Sequence, residues 1–185
     1  MRTLTSRQLA VPSLVLASAL ALILAIVLAP GSTAEAAGDA DGACGEDATF
    51  CVTEVLAGPA TFTDNVSANF QVRYDRGRAL NSNLPRDASN MIMIKATWEP
   101  GGSSGWHTHP GPAVISVVEG EVTVTNANDC VPRTYGEGDA FLDPGQGNIH
   151  IATNASDEDE AKAVATLFGV PDGEPATIPA DPAEC

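Results

Sequence analysis

From about Val52 onward the chain never sustains an apolar run long enough for a helix of three turns. Short apolar stretches alternate with Gly, Pro, Asn and Asp instead. The stretches are Ala68–Tyr74, Met91–Trp98, Ala113–Val118, Glu121–Thr125, Asp139–Leu142, Asn148–Thr153 and Ala161–Val170. Such spacing predicts many short antiparallel strands closing into a sandwich or barrel, an all-β domain. Gly120-Glu121 reads as the tight corner of a hairpin between Ala113–Val118 and Glu121–Thr125. Ala113–Val118 is apolar on both faces: Ala113, Ile115 and Val117 on one, Val114 and Val118 on the other. A strand of that kind is expected to be covered twice, by a second sheet or by a second subunit in a homodimer.

Charge narrows the partners. Nine Lys+Arg stand against 24 Asp+Glu, a net charge of −15. Nucleic acid is excluded as a partner, because neutralising phosphates needs a basic face. A small molecule remains as ligand or substrate.

The N-terminus reads as a targeting segment, residues 1–36. Arg2 and Arg7 precede the apolar Leu9–Ala29, and Ala34-Glu35-Ala36 has the Ala-x-Ala form of a signal-peptidase site. The alternative is an uncleaved anchor, since a span takes about 20 residues; only that reading gives the protein a membrane association. Both put the folded part outside the cytoplasm, secreted or in the cell envelope. Residues 37–51 read as a linker, 52–170 as the β-barrel and 171–185 as a Pro-rich tail running extended over the surface. An exported chain with Cys44, Cys51, Cys130 and Cys185 is expected to carry disulfides. Three pairings exist, and the favoured one joins Cys44 to Cys51 and Cys130 to Cys185.

All three histidines fall in two strand-like segments. His107 and His109 are two apart in Trp106-His107-Thr108-His109-Pro110, so on an extended strand both imidazoles point one way. His150 sits in Gly147-Asn148-Ile149-His150-Ile151. If the two strands are neighbours, three nitrogens converge on one divalent metal.

These residues resemble the two motifs of the cupin superfamily. Gly101, His107, His109 and Gly120 match the first motif, and Gly138, Pro144, Gly147, His150 and Asn154 the second, with one extra residue between its halves. The resemblance implies a double-stranded β-helix, a jelly roll. Each motif would form a hairpin, and His107, His109 and His150 would be metal ligands pointing into the barrel. Cupins hold Fe, Mn, Zn, Ni or Cu and include dioxygenases, isomerases, oxalate-degrading enzymes and non-catalytic binding proteins, so the fold does not fix a reaction. One departure matters. The position of the family's Glu ligand is Ala113. Three neutral imidazoles suit Zn, Fe, Ni or Cu, and the missing carboxylate weakens the case for Mn.

Other polar residues near the motifs carry less. Gln146 reads as a loop filler, Glu119 and Glu121 as solvent-facing, Trp106 as packed outside the pocket and Tyr135 as core. Asn65 and Asn154 lie in N-x-S sequons, and Ser156–Glu160 reads as a solvated turn. No general base stands out. Two functions follow: a metal-dependent enzyme of the dioxygenase type acting on a small molecule, or a module that holds a metal or small ligand without turnover.

Overall fold

The computed structural model describes residues 48–64, 66–75, 79–84, 90–171 and 173–185. The chain falls into two units, Met1–Ala34 and Glu35–Cys185. The first lies outside the described residues, as do the whole targeting segment read at 1–36, Cys44 and Asn65. Among the described residues no helix is long and apolar enough to cross a membrane.

The described residues form twelve strands: β1 (Phe50–Thr61), β2 (Asn69–Val72), β3 (Leu80–Asn83), β4 (Asn90–Trp98), β5 (His107–Thr108), β6 (Ala113–Glu119), β7 (Glu121–Asn126), β8 (Pro132–Gly136), β9 (Ala140–Asp143), β10 (His150–Thr153), β11 (Ala161–Phe168) and β12 (Ile178–Pro179). Two five-stranded sheets, ordered β1-β4-β11-β6-β9 and β12-β5-β10-β7-β8, make up an all-β jelly roll, and β2 and β3 form a small ribbon beside them. The strands read from sequence are present. β1, β3, β8 and β12 are strands that the sequence does not announce, β5 is the extended His-x-His segment expected from it, and the expected linker overlaps β1 by Phe50 and Cys51.

Period-2 alternation builds the core. Along β11, Ala161, Ala163, Ala165 and Leu167 are buried while the residues between them are half-buried. Ala113, Ile115 and Val117 of β6, Val122 and Val124 of β7, Ala152 of β10, and Ala96 and Trp98 of β4 complete it. Burying a Leu, Ile or Val side chain stabilises by roughly 1.5–3 kcal/mol. Trp98 also ties the two sheets together, its Nε1–H donating to the Ala152 carbonyl at 3.1 Å.

Two expectations are corrected. Gly120 does not close a hairpin, because β6 and β7 belong to opposite sheets. Gly120, at φ +68°, is the corner where the chain crosses over, packed so closely on the Glu160 carbonyl that a Cβ would approach it to 2.6 Å. The motifs likewise run between sheets and do not form a hairpin each: β5 and β6 lie in different sheets, as do β9 and β10. On the second face of β6, Val114 and Val118 are exposed among the described residues.

The tail runs extended along the edge of the second sheet. Ile178 and Pro179 pair with Thr108 and His107 as an edge strand, which Pro permits because an edge position need not donate on both sides. The tail is pinned by the expected Cys130–Cys185 disulfide, whose other half sits in the β7–β8 loop.

Candidate metal centre

Register brings the histidines together. β10 pairs with β5 so that His150 faces His107 directly across the ladder, and His109 follows two residues after His107. The imidazole centroids are 4.2 Å apart for His107–His150, 4.9 Å for His107–His109 and 5.4 Å for His109–His150. All three are buried, and each offers a ring nitrogen within 4.8 Å of the others. This is the convergence expected from the sequence.

Two of the rings are oriented by backbone carbonyls. His107 Nδ1 lies 2.9 Å from the Gly105 carbonyl, with Ser104 Oγ at 3.3 Å. His109 Nδ1 lies 2.8 Å from the carbonyl of Ala176, in the tail just before β12. A carbonyl can only accept, so each Nδ1 carries the proton and each Nε2 presents a lone pair, the arrangement that fixes a ligating tautomer. Burial, reinforced by charge on His150, pushes the His107 pKa down to about 3 against the pull of the Gly105 carbonyl. Burial and His109 bring His150 down to about 3 as well. Both are neutral at physiological pH, the form that binds metal.

The sequence reading missed Asp143. It is the last residue of β9, paired across the ladder with Ala113 of β6, and only 3% exposed. Its Oδ1 accepts from the Gly145 backbone N–H and from Asn148 Nδ2, each at 3.2 Å. Its Oδ2 has no hydrogen-bond partner and lies 3.6 Å from His109 Nε2. His150 Nδ1, likewise unpartnered, is 3.6 Å from Oδ1. Burial holds the Asp143 pKa above the usual carboxylate range, against the opposing pull of His109. One signal was available: Asp143 is two residues after Phe141, so it shares the inward face of β9.

The cluster opens on a cavity of about 60 Å³. Its walls include Phe50, Ile94, Ile115, Phe141 and Leu167, with Ser104 and Thr177 as polar contacts beside the histidines. Since one water needs about 10–15 Å³ on such a measure, the space suits a few non-hydrogen atoms. The donor set fits a divalent transition metal: convergent neutral imidazoles, two with their outer nitrogens already anchored, and buried polar atoms left unpartnered beside them.

The remaining candidates turn elsewhere. Gln146 bonds Ser82 and the backbone of Asn83, holding the β3 segment. Tyr135 stacks on Phe141 at 4.6 Å. Asn154 is buried, its amide donating to Trp98, Glu99 and Asp159 carbonyls, so its sequon is occupied structurally. Glu119 is exposed and pairs with Lys162 at 3.0 Å.

Jelly roll and histidine cluster together define a cupin-type barrel. Residues 95–167 match the family model described as a cupin domain, and the chain carries a cupin domain. Among curated proteins no sequence matches significantly. Similar solved structures include a cupin superfamily protein from Desulfitobacterium hafniense DCB-2, at 12% identity and TM-score 0.37, covering 57% of this chain and 79% of that one. An oxalate oxidase is 22% identical at TM-score 0.42, covering 64% of this chain and 57% of its own. The polyketide cyclase RemF from Streptomyces resistomycificus is 15% identical at TM-score 0.43, covering 72% and 82%. At such identities no reaction is carried across to this chain.

Proposed function

We propose that this protein is an exported cupin that holds one divalent transition metal (Fe, Zn, Ni or Cu) through His107, His109 and His150. A small, largely apolar molecule would bind beside the metal. One observation carries the reading: three buried ring nitrogens lie within 4.8 Å of one another at the end of an apolar cavity. A bound ion would supply Lewis acidity and, if redox-active, a route for electrons to dioxygen, as dioxygenase-type chemistry requires. The chain's own part is to hold the imidazoles neutral and oriented, to keep bulk water out with Phe50, Ile94, Phe141 and Leu167, and to admit only a small occupant. A module that binds metal and ligand without turnover is the second reading. It is favoured by the cavity lining, in which no titratable side chain other than the histidines appears.

Metal analysis of untagged protein should find one equivalent, and His150→Ala should lose it. Equal metal in both would overturn the reading. Oxygen uptake with a panel of thiols, diketones and phenols separates the enzyme from the binding module. Export rests on the Ala34-Glu35-Ala36 site and on a disulfide compatible with an oxidising compartment. N-terminal sequencing should find the mature chain beginning near Ala37, and an intact Met1 in a membrane fraction would favour the anchor.

A further inference from the structure

We propose that Asp143 is a fourth protein ligand of this metal, its carboxylate arriving from β9 beside the position where β6 carries only the methyl of Ala113. The proposal rests on the three-histidine reading and extends it.

The register makes the approach. Ala113 and Asp143 are directly opposed, and opposed side chains project from the same face with Cβ atoms about 4.5–5.5 Å apart. The small Ala113 side chain leaves that face of the cluster open to its neighbour. The two carboxylate oxygens then have different tasks. Oδ1 is held by the Gly145 N–H and Asn148 Nδ2, and Asn148 is itself fixed by donating to Asn126 Oδ1 at 3.0 Å. Oδ2 is buried with no partner, and a buried carboxylate oxygen left unpaired is costly unless something positive meets it.

The separation from His109 is close to that of two ligands sharing an ion. Ligands about 2.0–2.2 Å from a shared ion stand about 3.0–3.5 Å from each other in octahedral or tetrahedral geometry. Asp143 Oδ2 is 3.6 Å from His109 Nε2, the nitrogen left free by the bond to Ala176. A role confined to orienting an imidazole fits less well. His107 and His109 are already oriented by carbonyls. The 3.6 Å from Oδ1 to His150 Nδ1 exceeds hydrogen-bond range.

The consequence is a change of metal class. Three imidazoles and a carboxylate form a harder, anionic set, which restores Mn(II) and favours Fe(II) relative to an all-nitrogen site.

The test titrates metal-free protein with Mn(II) and with Co(II), reading dissociation constants by chelator competition and the Co(II) visible spectrum. Wild type should bind one equivalent of each, and His107→Ala should bind neither tightly. Asp143→Asn keeps the shape and can still accept from Gly145 and Asn148. It should weaken Mn(II) by more than the roughly 10–100-fold expected from losing an outer partner of a ligand, and should change the Co(II) spectrum. In an Asp143→Ala background, Ala113→Glu should recover at least tenfold of the lost Mn(II) affinity. If wild type binds and His107→Ala does not, but Asp143→Asn leaves affinity and spectrum unchanged, Asp143 is no ligand while the histidine site stands. If wild type binds no metal, both proposals fall. Circular dichroism and the intact Cys130–Cys185 bridge establish that each variant is folded.

Discussion

Without bound metal, this protein should lose stability through His107 and His150 as the pH is lowered. Both have folded pKa values of about 3, against about 6.5 in an unfolded chain. For a depressed histidine the folded state binds fewer protons than the unfolded one. Its contribution is therefore complete above pH 6.5 and is lost as the pH falls from 6.5 towards 3. At pH 5 the loss is 1.36 kcal/mol for each pH step below 6.5, or about 2 kcal/mol per imidazole and about 4 kcal/mol for the pair. Asp143 acts with the opposite sign. Its raised pKa means that the folded state takes up a proton first and recovers stability as pH falls. The assay is a urea midpoint series on metal-free protein from pH 8 to 5, comparing wild type with His107→Asn/His150→Asn. Asp143 is present in both, so only the part of its shift that depends on His107 and His150 enters the difference. With a slope of about 2 kcal/mol per molar urea, wild type should lose about 2 M more in midpoint than the double variant. Parallel curves for the two proteins would refute the argument. Saturating metal should flatten the wild-type curve, because protons and metal compete for the same nitrogens.

Two further outcomes are expected. Replacing Cys130 and Cys185 by Ser opens a closure of 55 residues, worth about 4 kcal/mol on the chain-entropy model. It should also weaken metal binding, because the freed tail carries the Ala176 carbonyl that orients His109; thermal melts and metal titration of the same sample check both. Gly145→Ala should destabilise by more than about 2 kcal/mol, since Gly145 sits at φ +57° and an added Cβ would run into the Gly111 carbonyl. Gly147→Ala, also at positive φ but facing open space, should cost only about 1 kcal/mol, and equal losses at the two sites would overturn the contact argument.

Much of this protein is determined locally. The period-2 alternation of Ala113–Val118 and Ala161–Val170 sets which side chains face the core, because a strand turns successive residues to opposite faces whatever it pairs with. The His-x-His spacing puts two imidazoles on one side for the same reason, and punctuation by Gly and Pro excludes long helices. Spacing within a segment says nothing of which segment lies beside it. Only the tertiary structure crosses the chain at Gly120 from one sheet to the other, seats β12 on β5 and sets His150 opposite His107. The same long-range register places Asp143 opposite Ala113, 30 residues away in sequence. The sequence shows the first motif without its carboxylate; pairing between β6 and β9 brings another one alongside. Strand pairing depends on how the two buried faces close over one another, and no local pattern encodes that.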